Sequence, residues 1–145
     1  MFKKILVPTD GSQLSEKAIA AAIEFARTHQ PCKIIGLSVA EELSFNQVEA
    51  LTKSGSSDYI IREQLSAKGR VARIAELAKE AGVPCETVVA QSVKPHAEIV
   101  RVAAECDCDC IFMASHGRKG LNRLFLGSET NKVLALSKVP VLVYR

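Results

Sequence analysis

Lys4-Ile5-Leu6-Val7-Pro8-Thr9-Asp10-Gly11-Ser12 is the stretch from which the chain is best read. An almost wholly apolar run stops at a proline and passes straight into turn residues, as expected of a short strand buried on both faces. From Ser15 to about His29 the apolar positions Ala18, Ile19, Ala22, Ile23 and Ala26 recur at helical spacing, with Glu16, Lys17, Glu24 and Arg27 on the other side. That spacing predicts an amphipathic helix. A doubly covered strand leading into such a helix is how a strand-helix-strand crossover begins.

The alternation continues. Lys33 to Ala40 reads as a second strand with Gly36 as its weak point, and Asp58 to Ala81 as a helix closed by Gly82 in a left-handed cap before Val83-Pro84. Between them, Glu41 to Ser57 mixes Leu43, Phe45, Val48 and Leu51 with a polar tract from Thr52, giving a short helical piece and a mobile connection. Glu86 to Ala90 is a third strand, Pro95 to Glu105 a helix with proline in its first turn, and Cys108 to Ala114 a fourth strand. Ser128 to Leu136 is the last helix and Val139 to Tyr144 the last strand. Five strands alternating with four helices require right-handed crossovers, which places helices on both faces of a parallel sheet. The expectation is one doubly wound α/β domain over residues 1–145.

Composition narrows the function. The 145 residues are 48% hydrophobic and 24% charged, as in a soluble domain with a real core. No apolar run approaches the ~18 residues of a membrane span, and the apolar start ends too soon, at Pro8 to Asp10, for a signal peptide. A cytoplasmic protein with five reduced cysteines is expected. Cys106-Asp107-Cys108-Asp109-Cys110 lacks the C-x-x-C spacing of metal or redox sites; Cys108 and Cys110, two apart, are expected on one strand face as inert buried thiols. The net charge of +3 is too small to imply a nucleic-acid partner, but it is localised. Between His116 and Lys132, Arg118, Lys119, Arg123 and Lys132 face one acid, Glu129, so 4 − 1 = +3 is the whole excess.

In an open parallel sheet, ligands sit beyond the carboxyl ends of the strands. Pro8-Thr9-Asp10-Gly11-Ser12, Val39-Ala40-Glu41 and Ala114-Ser115-His116-Gly117 lie there. The third segment continues through Arg118-Lys119-Gly120 to Gly127-Ser128-Glu129-Thr130, joining glycines, basic side chains and a helix start. Those parts suit phosphate, because the first amides of a helix lack internal partners and the peptide dipoles make that end positive. Two bland readings stand beside this one: Ser128 as a helix cap, and Asp10 as a turn or cap residue. There is no G-x-x-x-x-G-K-[ST], no G-x-G-x-x-G after the first strand, and no G-x-S-x-G elbow that would turn Ser12, Ser128, His116 and Asp10 into a hydrolase. A phospho-receiver domain would need an acidic cluster and a lysine beyond the last strand, whereas Lys138 precedes it.

Together, Lys3 to Ser12, Ala114-Ser115-His116-Gly117 with nine residues before Gly127-Ser128, and Val139 to Val143 resemble the universal stress protein family over essentially the whole chain. The resemblance implies a sheet of order 3-2-1-4-5, a homodimer through antiparallel pairing of the last strands (Val139 to Tyr144), and, in one branch, ATP bound through G-x2-G-x9-G-[ST]. It implies further that Pro8, Thr9 and Asp10 meet ribose and base, that Val39 meets adenine, and that Ala114, Ser115, His116, Gly117, Arg118 and Lys119, with Gly127, Ser128, Glu129 and Thr130, wrap the phosphates. Ala114 stands where that motif has its first glycine; a methyl is accepted if the backbone there is extended or right-handed, and costs about 1–2 kcal/mol if it is left-handed. Glu129 would reach phosphate only through Mg²⁺, or else is a first-turn acid favoured by the helix dipole. The leading expectation is a regulatory module that binds ATP or another adenylate. The alternatives are a stress protein acting by protein contacts alone, and a weak ATPase or self-phosphorylating protein modified at Ser128 or Thr130.

Overall fold

The computed structural model describes residues 1–53, 58–118 and 125–145. Along the chain run β1 (Lys4–Pro8), α1 (Gln13–Thr28), β2 (Lys33–Glu41), α2 (Phe45–Lys53), α3 (Asp58–Glu80), β3 (Cys85–Ser92), α4 (Pro95–Glu105), β4 (Cys110–Ala114), α5 (Ser128–Leu136) and β5 (Val141–Tyr144). The strands form one parallel sheet of order β3-β2-β1-β4-β5. This is the order implied by the resemblance. The short helical piece after β2 is α2, a fifth helix with no buried residue.

β1 lies at the centre because both of its faces are apolar. Ile5 and Val7 point into one core layer, with Ile34, Cys110 and Phe112, against Ala18, Ile19 and Ala22 of α1 and Ile74 and Ala78 of α3. Leu6 points into the other, with Ile35, Leu37, Ile111 and Met113, against Ile99 and Val102 of α4 and Val133 of α5. Fully burying a side chain of this size contributes about 1.5–3 kcal/mol, so the two-sided burial of β1 explains its unbroken apolar run. Gly36 has a steric reason: a Cβ there would lie 3.1 Å from Cδ1 and Cγ2 of Ile74, where α3 crosses the sheet.

Two helices end in the same left-handed motif with different residues. After α3, Gly82 has φ 69°, and the Val83 amide donates to the Ala78 carbonyl at 2.8 Å. After α4, Asp107 takes the same role at φ 51°, with the Cys108 amide donating to the Ala103 carbonyl at 2.8 Å. This second cap overturns the expectation for the cysteines. Cys108 belongs to the cap and not to β4, so period-two alternation does not reach it; it packs in the α4/α5 layer and Cys110 in the α1/α3 layer. Both thiols are nonetheless inert: burial pushes Cys108 up to about 12 and Cys110 up to about 11.

Candidate nucleotide site at the carboxyl end of the sheet

From β1 the chain builds β2 and β3 to one side, then returns to place β4 and β5 on the other. The connections diverge beyond Pro8 and Ala114, and a cavity of about 410 Å³ lies there. Its walls include Pro8, Thr9, Asp10, Val39, Ala114, His116, Gly117, Arg118, Gly127, Ser128, Glu129 and Thr130. Twelve of the fourteen residues singled out from the sequence therefore share one space. Of the other two, Ser115 is buried behind it, and Lys119 lies outside the described residues. The cavity has an apolar side of Leu37, Val39, Val93, Ile99 and Met113, and a polar side where α5 begins.

The β1 turn is a closed hydrogen-bonded knot. The Thr9 hydroxyl pairs with that of Ser15 at 3.0 Å and accepts from the Gly11 amide at 3.1 Å. Ser12 is the N-cap of α1, accepting from the Ser15 amide. Asp10 is thus not the cap. One of its carboxylate oxygens accepts from the Ser12 amide at 2.9 Å, and the other from the Arg118 amide at 2.6 Å across the cavity mouth. Burial alone would raise its pKa, but the Ser12 and Arg118 hydrogen bonds and the Arg118 charge outweigh it and hold the carboxyl below the ordinary 3.8.

The second knot ties β4 to α5. The Gly127 amide donates to the Ser115 carbonyl at 2.8 Å, and the buried Thr130 hydroxyl faces the carbonyls of Ala114 and Ser115 at 3.0 and 3.2 Å. Gly127 itself is the N-cap of α5, with φ −60° and no side chain to cap, so Ser128 is not the cap but the first helical residue. Ser128 lines the same cavity, and among the described residues nothing pairs with its amide or hydroxyl. The two glycines also have work to do within the protein. A Cβ on Gly127 would lie 3.0 Å from the Ser115 carbonyl oxygen, and one on Gly117 would lie 2.5 Å from an Asp10 oxygen. Both glycines let protein approach protein. Ala114 is an ordinary strand residue, and Asp107 is the one non-glycine of positive φ among the described residues, so the methyl at Ala114 carries no strain.

Two residues acquire partners that the sequence did not reveal. His116 shares a 2.9 Å hydrogen bond between its Nδ1 and the Ser115 hydroxyl, while its Nε2 is buried with no partner among the described residues. Glu129 turns toward α4: one oxygen accepts from both the backbone amide of His96 at 2.8 Å and its Nδ1 at 2.9 Å. Burial would raise the Glu129 pKa, but His96 and, more weakly, Lys132 hold it low. His96 starts α4 after Pro95, and nothing in its spacing marked it as a partner for a residue thirty-three positions away. Ser92, Val93, Ile99 and Met113 also line the cavity; their signal was strand and helix register, readable only once β3 and α4 are placed beside it. No group of three metal-ligating side chains occurs among the described residues.

The model of the universal stress protein family matches residues 1–145. The chain belongs to the universal stress protein family. Universal stress protein YxiE of Bacillus subtilis is 35% identical over 159 residues, covering the whole of both chains. The solved structure of MJ0577 from Methanocaldococcus jannaschii superposes with a TM-score of 0.83 at 30% identity, covering 99% of this chain and 96% of that one. A universal stress protein solved in complex with cAMP matches at TM-score 0.72 and 23% identity, over 99% of this chain and 97% of that one. At that identity the likeness is one of fold. Among the described residues of this universal stress protein, no helix is long and apolar enough to cross a membrane.

Proposed function

We propose that the cavity binds ATP or another adenine nucleotide, and that the protein is a homodimeric regulatory module rather than an enzyme. One observation carries this reading: a single cavity joins an apolar wall, including Val39, to a helix start whose Ser128 amide and hydroxyl lack partners among the described residues. A purine suits the first and a phosphate the second. The unpartnered Nε2 of His116 fits too, since a buried ring nitrogen without a partner costs about 1–3 kcal/mol and a polar ligand would relieve it. Pro8, Thr9 and Asp10 would border ribose and base, and Gly117, Arg118 and Ser128 the phosphates. The relative solved with cAMP is a member of the fold family that holds an adenylate.

Binding is favoured over turnover because the base–hydroxyl pair that the described residues place at the cavity, His116 with Ser115, has its hydroxyl buried behind the wall and out of reach of a bound phosphate. Thr130 is a poor self-modification site, its hydroxyl being buried against two carbonyls. The test has two parts. Purified protein is denatured and its supernatant assayed for adenine nucleotide; ATP is then titrated into the stripped protein and into Ser128→Ala. The expected result is retained or rebinding nucleotide, with affinity down about three- to tenfold in Ser128→Ala and an unchanged melting temperature. No binding by the wild-type protein, or equal binding by both, rejects the assignment.

A further inference from the structure

We propose that Glu129 sets how many phosphates the site accepts: its fixed carboxylate disfavours each added phosphate charge on a bound adenylate. The inference rests on the nucleotide reading above and sharpens it. Glu129 is the second residue of α5, immediately beside the Ser128 amide and hydroxyl that would receive the phosphate, and it lines the same cavity. A freely rotating carboxylate would swing into solvent as an anion entered. This one cannot do so cheaply, because the His96 amide and ring both hold the same oxygen, at 2.8 and 2.9 Å. Its other oxygen meets Lys132 at 3.5 Å, an exposed pair that offsets little of the charge. The latch also sets Glu129 against the first turn of α4, so the positive end of that helix is already engaged by a protein carboxylate.

The amide inventory points the same way. Gly127 spends its amide on the Ser115 carbonyl and Arg118 spends its amide on Asp10, so two donors that a long polyanionic tail would need are taken by the protein. Asp10 and Glu41 add further acids to the cavity wall. Repulsion between like charges inside one Debye length, about 8 Å at physiological salt, grows with each added charge, while the purine and first phosphate bind as before. The specificity therefore lies in the ratio of affinities rather than in either affinity alone.

The experiment titrates AMP, ADP and ATP into the full chain by calorimetry at low salt with chelator, comparing wild type, Glu129→Gln and Glu105→Gln. Gln keeps an oxygen for the His96 amide, and an unchanged melting temperature confirms that α4 stays capped. Glu105, exposed at the far end of α4, controls for net charge. The ATP-to-AMP affinity ratio is expected to rise about threefold per added charge, about tenfold overall, in Glu129→Gln alone, and the rise is expected to vanish in about 1 M salt. An unchanged ratio, or an equal rise in Glu105→Gln, overturns the proposal while leaving nucleotide binding intact. A loss of ATP affinity in Glu129→Gln when Mg²⁺ is added also overturns it, since the carboxylate would then act through the metal. Absence of binding for all three nucleotides in every protein overturns the nucleotide reading and this one with it.

Discussion

Gly127 faces a backbone carbonyl and Gly117 faces a carboxylate, and that difference decides how each tolerates a side chain. The Ser115 carbonyl, 3.0 Å from a Cβ on Gly127, is tied into β4 and cannot retreat. Gly127→Ala is expected to destabilise the ligand-free protein by about 1–3 kcal/mol in urea unfolding. A loss seen only with nucleotide present would mean that the glycine serves the ligand instead. Asp10 gives a pH prediction. Its folded pKa lies below 3.8, so its stabilisation is complete above that pH and is lost as pH falls through the folded value. Asp10→Asn should cost about 1–3 kcal/mol at neutral pH and should flatten the acid limb of the stability profile. An acid limb identical to wild type would show that the carboxylate adds nothing. The segments that border the cavity were legible because loops at the carboxyl ends of parallel strands face the crevice, whereas the choice of residues within them came from the family resemblance. His96 was not legible, since its partnership with Glu129 comes from packing α4 against α5, which no local pattern encodes.

Among the elements, α3 and its cap show two kinds of glycine. Gly36 exists for Ile74, and Gly36→Ala is expected to cost about 1–3 kcal/mol by overpacking. Ile74→Val removes one of the two atoms at 3.1 Å, so the double variant should recover part of that loss, which a double-mutant cycle measures. Strict additivity would contradict the packing argument. Gly82 has open space around it, so Gly82→Ala should cost only the backbone strain of φ 69°, about 1 kcal/mol. The Gly82 cap could be read from the sequence because glycine advertises a left-handed residue. The Asp107 cap could not, because aspartate adopts that conformation seldom. This is why β4 begins at Cys110 and not Cys108, and why the two cysteines part to opposite faces. β5 likewise starts at Val141, since Val139 and Pro140 are still entering the sheet, with the Ile111 amide already donating to the Pro140 carbonyl.

For the whole molecule, the alternating pattern was sufficient to give the layers, because buried parallel strands and amphipathic helices have few ways to combine. Strand order was harder to read: β1 pairs with both β2 and β4, and the order came from the family resemblance. That order leaves β5 at an edge, with Leu142 at 37% exposure and, among the described residues, no strand on its outer side to pair with its backbone groups. Pairing with a second copy across a two-fold axis would cover them. Light scattering at micromolar concentration is expected to give a dimer, and Leu142→Glu a monomer; a wild-type monomer would remove the proposal.

The Ser115 amide donates to the Tyr144 carbonyl at 2.7 Å, while the Ser115 carbonyl receives the Gly127 amide. One residue thus clasps the wall of the crevice with one hand and the outermost strand with the other. A guest lodged against α5 would therefore sit two hydrogen bonds, both made by Ser115, from the rim of the sheet.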